Sequence, residues 1–411
     1  MDQNSVTLRN ASLQTLVERL RAEQVVKRDL VLPASLLSME GGMAVIEDVA
    51  SIVGEANELA DLLAGGGISL SGETERMILE PTKSAHGQIA DICNIPRKYY
   101  WLLGDQQVDL LDVNVQMRMN HRGERTVLAR TFKALDDNPG VLRAVLGRNY
   151  KVIDNLDILT TVLEVVKDVE DEFGELIIDK CNLTEKQMFI QIVAPNIMRE
   201  AEEILDKYRA PKRRLGGPNH EITGWPGGSR GICTGLVFGN SETGFGKWFV
   251  KPRAVVSICN NGWIDHRYAV DGVHRGKTLE TGVMVEWSEE TMHKELELIQ
   301  LQVRDAARFY LSDDFLGKMI TIMSEAASHE LGSPSRTVEE ICTQLNFSEE
   351  RAESVFDYFI GGHDNTALGV SQALTFFAQE ADDPALQYEI EQSAFALLPE
   401  IIKVDTALSA N

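Results

Sequence analysis

The chain has 411 residues, of which 44% are hydrophobic and 25% charged, and its formal net charge is −23 at pH 7. These values are ordinary for a soluble globular protein of two or three domains. No apolar run approaches the roughly 18 residues of a membrane span, and the N-terminus lacks a signal pattern, so we expect a cytoplasmic protein without a membrane partner. The five scattered cysteines contain no CxxC pair, which favours reduced core residues over a disulfide framework or a zinc site.

The charge is unevenly distributed along the chain. Residues 1–206 carry 21 basic and 34 acidic side chains, residues 207–277 carry 12 and 4, and residues 278–411 carry 7 and 25. The net charges of these segments are −13, +8 and −18. A basic central island between acidic flanks can steer a polyanion toward one surface, and it can equally bind an acidic surface of a neighbouring subunit.

The N-terminal part alternates predicted helices with a short strand. Apolar residues at helical spacing predict helices over 12–27 and 44–64. A strand is expected at 75–80, and Thr82 is expected to cap a helix over 83–93.

A hairpin is predicted over residues 113–132. At its start valine and methionine alternate with polar residues, as in a strand with one buried face, and residues 120–123 have the composition of a turn. Arg122 lies in this turn and Arg125 follows it, in a stretch from 115 to 151 that has 8 basic and 3 acidic side chains. We therefore expect a second, weaker cationic site here.

A second hairpin is predicted from Gly231 to Arg267, where two runs rich in β-branched and aromatic residues flank the turn cluster Asn240–Gly244. Successive side chains of a strand face opposite sides. Pro252 cannot donate to a ladder, so the second strand should be an edge or carry a bulge. One face of that strand carries Trp248, Val250, Ala254, Val256 and Ile258, which we expect in a core. The other face carries Lys247, Phe249, Lys251 and Arg253.

From Ser288 onward the pattern indicates helices only, and the first is long and amphipathic. We therefore predict an α+β fold with central antiparallel β-hairpins, flanking helices and an all-helical C-terminal region. The predicted domains are an N-terminal helical and mixed region at 1–110, a central α+β domain at 111–285 and an acidic helical region at 286–411.

The cationic face of the second hairpin is the candidate nucleic-acid site. Three cations around one aromatic ring can hold a phosphate backbone while a base stacks on the ring. The alternative is an exposed strand whose solvated lysines deter edge pairing. Phe249 on this face and Phe245 at the turn tip are the candidate stacking rings. The predicted nucleic-acid contacts are Lys212, Arg213, Arg214, Phe245, Lys247, Phe249, Lys251, Arg253, Arg122 and Arg125.

Four residues around the hairpin are expected to be structural: Asn240, Glu242, Gly244 and Gly262. Asn and Gly tolerate left-handed backbone conformations, and the glutamate can accept backbone hydrogen bonds in the turn.

A rival interpretation is a metal-dependent nuclease. The spacings of its candidate acidic and histidine residues match no metal signature, so neither a metal nor a cofactor is predicted. The nuclease would be centred on Glu242, Asp265, His266 and His274.

The phrase from Val237 to Ile264 resembles the central signature of an uncharacterised phage- and plasmid-borne family, domain of unknown function 932. The segments LGRNYKVIDN and TALGVSQALTFFAQEA also resemble family segments, and the match covers about residues 130–398. The resemblance implies mobile-element biology, in which DNA recombination and replication are common roles. The family pattern Asn-Ser-Glu-x-Gly, a strand and Cys-x-Asn-Gly corresponds here to Asn240, Ser241, Glu242, Gly244, Cys259, Asn261 and Gly262.

The leading hypothesis is a non-enzymatic, oligomeric single-stranded DNA-binding protein of phage or plasmid origin, with strand annealing in recombination as one form of the activity. The acidic C-terminal region would recruit a protein partner, keep the free protein soluble, or meet the basic island of a neighbour in a ring or filament. Besides the nuclease, the rival is a structural or regulatory oligomer that uses the basic island for protein docking.

Overall fold

A computed structural model describes residues 7–47, 76–122, 125–133, 139–147, 150–201, 204, 231–256, 262–272 and 288–410. Two β-sheets organise the fold, one antiparallel and one mixed, and the C-terminal region is entirely helical. The predicted α+β class is therefore confirmed. None of the helices in these ranges is both long and apolar enough to cross a membrane.

The six-stranded sheet comes from the N-terminal part of the chain. Its order is β2-β6-β7-β5-β4-β3, and all its neighbours are antiparallel except the parallel pair β5 and β7. Three helices pack with it around a core that includes Ile89, Leu111 and Val127. The strands are β2 (Lys27–Pro33), β3 (Leu37–Glu40), β4 (Met43–Ile46), β5 (Met77–Pro81), β6 (Thr126–Phe132) and β7 (Gly140–Gly147), and the helices are α2 (Lys83–Cys93), α3 (Arg97–Gln106) and α4 (Val108–His121).

The seven-stranded sheet contains the hairpin predicted from Gly231. Its order is β1-β8-β9-β10-β11-β12, and β13 pairs with the first part of β11. Helices α1 (Leu13–Val26) and α5 (Asn155–Phe173) pack against it. The strands are β1 (Leu8–Ala11), β8 (Ile177–Leu183), β9 (Met188–Glu200), β10 (Gly231–Asn240), β11 (Trp248–Val256), β12 (Gly262–Ile264) and β13 (Val270–Gly272).

The C-terminal helices share one hydrophobic core with the seven-stranded sheet, because side chains such as Val250 and Leu374 belong to the same buried cluster. The helices are α6 (Glu289–Tyr310), α7 (Asp313–Ser328), α8 (Pro334–Gln344), α9 (Glu349–Gly362), α10 (Ala367–Glu380), α11 (Pro384–Ala396) and α12 (Leu398–Ser409).

The predicted helix starts at Ser12, Thr82 and Ser288 are confirmed, and each has a side-chain cap. The hydroxyls of Ser12, Thr82 and Ser288 each accept a hydrogen bond from the backbone N–H three residues later. Such a cap satisfies one of the N–H groups that have no acceptor within the helix. The four cysteines in the described ranges are buried and free, as expected of core residues.

The hairpin predicted over 113–132 is wrong in its first half, which is helix α4. Its buried side chains are Leu111, Val115 and Met119, which repeat every four residues on one helical face. Val113 and Met117 are instead 53% and 68% exposed. The alternation at every second residue arises because apolar residues also occupy the exposed face of this helix.

The helix predicted over 44–64 is also wrong at its start, which is strand β4 and pairs with β3 and β5. Residues 48–75 lie outside the described ranges. The predicted domain boundary at 110 falls within α4, and residues on both sides of it contribute strands to the six-stranded sheet.

Pro252 lies in an interior strand and not at an edge or a bulge. On one side β11 pairs with β10 along its whole length. On the other side it pairs with β13 through residues 248–250 and with β12 through residues 253–255. The proline therefore falls where one neighbouring strand gives way to the next, so its missing N–H costs no ladder bond on that side.

Gly262 allows the close approach of a buried arginine. The Arg253 side chain is fully buried, and its Nη1 lies 3.1 Å from Oδ2 of Asp179, whose side chain is also buried. A Cβ atom added at residue 262 would lie 2.7 Å from the other terminal nitrogen of this guanidinium. The expected structural role of Gly262 therefore depends on this contact.

We predict that Gly262→Val lowers the melting temperature strongly or prevents folding, because the buried guanidinium has no room to move without leaving its carboxylate. Thermal unfolding followed by circular dichroism measures the change. The matched control is Gly147→Val at the end of β7, where an added Cβ meets no atom of the described residues within 4 Å. Equal melting temperatures for the two variants would contradict this account.

Candidate functional site

The predicted cationic face of β11 is not a solvent-exposed surface. Phe249 is only 8% exposed, and its ring packs against the rings of Phe189 and Tyr388. Arg253 is buried in its ion pair with Asp179. The expectation that Phe249 and Arg253 stand ready for a nucleic acid is therefore wrong, because helix α11 covers this face.

Lys251 shows how the covering helix is held. Its Nζ atom donates hydrogen bonds of 2.7 Å to the hydroxyl of Tyr388 and to the side-chain oxygen of Gln392, both on α11. The same ammonium lies 4.6 Å from the centroid of the Phe249 ring. Lys247 is exposed and forms an ion pair of 3.3 Å with Asp271. The acidic C-terminal region thus occupies part of the basic island of its own chain.

The remaining predicted contacts are dispersed. Lys212, Arg213 and Arg214 lie outside the described residues. Arg122 is half-buried at the end of α4, and Arg125 is exposed in the connection to β6. Phe245 is half-buried in the loop between β10 and β11, and it is the predicted stacking ring that reaches a cleft.

The loop that carries Phe245 is fixed by a buried carboxylate. One oxygen of Glu242 accepts a hydrogen bond of 2.5 Å from the Arg143 guanidinium of β7, and the other accepts one of 2.5 Å from the backbone N–H of Asn155. Arg130 of β6 donates to the backbone carbonyl of Glu242 at 2.9 Å. Glu242 accepts a backbone hydrogen bond as expected, but from the start of α5 and not from its own turn.

Other polar residues attach the same loop to the turn between β8 and β9. The hydroxyl of Ser241 donates to the carbonyl of Lys186 at 2.7 Å and accepts from the N–H of Phe245 at 2.9 Å. The hydroxyl of Thr243 donates to the carbonyl of Glu185 at 2.9 Å. These bonds hold the Phe245 ring beside the Lys186 ammonium, which lies 5.6 Å from the ring centroid.

Helix α2 forms the next wall. Gln88 donates to the carbonyl of Thr243 at 2.7 Å and accepts from the N–H of Val145 at 2.8 Å, so it joins the loop to β7. Gly244 has a φ of +83°, which favours glycine, and a Cβ atom there would lie 2.6 Å from a methyl group of Leu146. The expected structural role of Gly244 therefore has both a conformational and a steric reason.

These elements enclose an open cleft of about 510 Å³. It lies among the first turns of α2, helix α3, the β8–β9 turn, the Phe245 loop and the start of α11. Its lining residues are Thr7, Lys83, Ser84, Gly87, Arg97, Trp101, Thr184, Glu185, Lys186, Phe245, Asp382, Asp383 and Pro384.

The cleft contains three cations and three acids, but two of the acids are engaged elsewhere. Asp383 accepts a hydrogen bond from the N–H of Ala385 at the start of α11, and Asp382 pairs with Arg9. Glu185 is the third acid. The cations Lys83 and Lys186 are exposed, so their ammonium groups can reach a bound ligand.

Arg97 is the positioned cation of the cleft. Its guanidinium makes two bonds, of 3.0 and 2.5 Å, to the carboxylate of Asp91. It also lies against Gly87, where an added Cβ would be 3.6 Å from the guanidinium carbon. Both contacts fix its orientation at the wall of the cleft.

The residues of the nuclease rival are not grouped as a metal site in the part of the chain that the structure describes. Asp265 binds the Arg267 guanidinium with both carboxylate oxygens, at 2.8 and 2.6 Å. Glu242 is engaged with Arg143 and Asn155. His274 lies outside the described ranges, within which no group of three or more His, Cys, Asp or Glu residues could hold a metal ion.

No protein-family model, no curated protein and no solved structure matches this chain. The resemblance of the phrase from Val237 to Ile264 to domain of unknown function 932 therefore stays a prediction.

Sequence reasoning missed Lys83, Arg97, Trp101 and Lys186 as site residues. They belong to three separate elements, and the chain has no local motif that connects them. The available signals were the Thr82 cap, which places Lys83 in a first helical turn, and the aromatic run that includes Trp101. Neither signal indicates which elements will meet.

Glu242→Gln tests whether the buried carboxylate holds the loop. The variant keeps the shape but leaves the buried Arg143 guanidinium without its counter-charge, so we expect a loss of about 3–5 kcal/mol in the free energy of unfolding. Urea denaturation measures it. Glu172→Gln is the control, because Glu172 forms a half-exposed pair of 2.9 Å with Arg308 and should cost less than about 1 kcal/mol. Similar losses would refute the buried role.

Lys251 gives a pH prediction. Burial, partly offset by Asp271, lowers the pKa of its ammonium to about 8. An unfolded lysine has a pKa of about 10.4, so between these values the unfolded chain binds more protons than the folded chain. The contribution of Lys251 to the free energy of unfolding should therefore rise as the pH is raised through this window.

The measurement is urea denaturation of the native protein and of Lys251→Met at several pH values from about 8 to 10. The native protein should gain stability relative to the variant as the pH rises. Lys167→Met, which changes an exposed lysine of α5, should show a flat difference. A difference that is flat or falls for Lys251→Met would count against this interpretation.

Proposed function

We propose that this chain binds single-stranded nucleic acid, with single-stranded DNA as the expected ligand, and that the cleft beside Phe245 receives part of the strand. The observation that carries the proposal is the meeting of two aromatic side chains, Phe245 and Trp101, with three cations around one open cleft. Aromatic rings stack bases of any sequence, and cations follow the phosphate backbone. Paired and stacked bases of a duplex cannot offer their faces to these rings in the same way.

The positioning of Phe245 supports the proposal. Both sheets and helix α2 contribute hydrogen bonds to the loop that carries this ring, yet the ring itself stays half-exposed at the cleft. A ring that only filled a core would not need to border an open cleft beside an ammonium group. A fixed ring loses little freedom when a base stacks on it, which favours binding.

The overall charge of −23 limits how the strand is attracted. Attraction must come from the local cations Lys83, Arg97 and Lys186, since the long-range field of the whole chain repels a polyanion. Each phosphate contact to a single strand contributes about −0.7 to the slope of log affinity against log salt. We therefore expect a slope of about −2, from about three contacts.

The wider function depends on the sequence resemblance. In the proposal the protein acts in the host-cell cytoplasm as a non-enzymatic, phage- or plasmid-encoded protein of DNA recombination, with strand annealing as the activity. It would work as a homo-oligomer and engage a protein partner through the exposed part of its acidic C-terminal region. Light scattering tests whether the protein is an oligomer. An annealing assay with complementary oligonucleotides tests the proposed activity.

Phe245→Ala is the decisive variant. Loss of a stacking ring should weaken oligonucleotide binding by about 1–3 kcal/mol and leave the salt slope unchanged. Fluorescence anisotropy with a labelled single strand at several salt concentrations measures both quantities.

The matched control is Phe309→Ala. Phe309 is also an exposed ring with a lysine ammonium nearby, at 5.9 Å from its centroid, but it lies on α6 outside the cleft. Its removal should leave the affinity unchanged. Absence of binding by the native protein at low salt would refute the proposed function, as would equal losses for the two variants.

A further inference from the structure

We infer that the first turn of α2 is a phosphate subsite of the cleft, in which the N–H groups of Lys83 and Ser84 and the Ser84 hydroxyl contact the phosphate oxygens. The inference rests on the proposed function, because the phosphate would belong to the nucleotide whose base lies on Phe245. It adds a fixed position for the phosphate and hence a preferred orientation of the strand.

The N-terminus of α2 faces the cleft, since Lys83, Ser84 and Gly87 on one side of its first turns line it. Two nearby N–H groups are already engaged: that of Thr82 donates to the carbonyl of Leu142, and that of Ala85 donates to the Thr82 hydroxyl. The N–H groups of Lys83 and Ser84 occupy the positions that have no acceptor within a helix. Such groups and the helix dipole favour an anion.

Ser84 provides a second, independent observation. The residue is 5% exposed and borders the cleft, and its buried hydroxyl oxygen has no hydrogen-bond partner in the described part of the chain. A buried hydroxyl without a partner costs stability, so its presence here needs a reason. A phosphate oxygen would give this hydroxyl an acceptor.

The charges around the subsite fit a phosphate held between two cations. The exposed Lys83 ammonium lies at the helix start, and Arg97 borders the same cleft against Gly87. Glu185 opposes an anion, because its carboxylate lines the same cleft. Removing the charge of Glu185 should therefore strengthen phosphate binding, which a site for a cation or an apolar ligand would not show.

The test uses the full chain and three probes: inorganic phosphate, a single strand with a 5′-phosphate, and the same strand without it. Titration calorimetry measures each affinity for the native protein, Ser84→Ala and Lys83→Met. Loss of a hydrogen bond to a charged group should weaken phosphate binding about tenfold in Ser84→Ala. Glu185→Gln should tighten it several-fold, and Lys167→Met on α5 should change nothing.

The two strands distinguish the source of the phosphate. Preference for the phosphorylated strand, lost in Ser84→Ala, assigns the subsite to a terminal phosphate. Equal binding of both strands, weakened equally by Ser84→Ala, assigns it to a phosphate within the strand. Unchanged affinity of Ser84→Ala for all three probes would overturn the inference.

The outcomes separate the inference from the proposed function. Oligonucleotide binding that depends on Phe245 but not on Ser84 or Lys83 removes the subsite and keeps the function. Phosphate binding that depends on Ser84, without any oligonucleotide binding, keeps the subsite and removes the proposed function. Ser84→Ala removes a hydroxyl that has no hydrogen-bond partner among the described residues, so its melting temperature should not fall. The exposed Lys83 provides a second variant that leaves the core untouched.

Discussion

The arrangement of the molecule depends on one buried carboxylate. Glu242 follows a strand of the seven-stranded sheet, yet it binds Arg143 of the six-stranded sheet and the first N–H of α5. A buried charge is tolerated only where partners of this kind surround it, so the loop has one conformation that satisfies both sheets at once. Phe245 lies three residues later, and its place at the cleft follows from the same constraint.

The hairpin at the centre of the chain is buried on both faces. One face of β11 packs in the main core, and helix α11 covers the other through Tyr388 and Gln392. Ion pairs such as Arg199 with Asp313 and Lys151 with Glu295 also join the central region to the acidic helices. Part of the charge asymmetry is thus used within the chain, whereas cations and rings of the cleft remain accessible.

Under the proposed function, the cleft would let a strongly acidic protein hold a polyanion. Its cations come from α2, α3 and the β8–β9 turn, and two of its three acids bind groups outside it. Short-range contacts to a few phosphates are strong at close distance, whereas the repulsion of distant acids is screened by salt. Local geometry, and not net charge, decides whether this surface favours an anion.

The sequence by itself determined the elements whose signals are local. Capping by Ser12, Thr82 and Ser288, the β10–β11 hairpin, the core face of β11 and the helical C-terminal region follow from neighbouring residues and their spacing. The tertiary structure alone decided that α11 covers Phe249, that Val113 and Met117 lie on the exposed face of a helix, and that Lys83 and Trp101 meet Phe245. Spacing along one element shows which residues share a face, but the occupant of that face comes from distant parts of the chain.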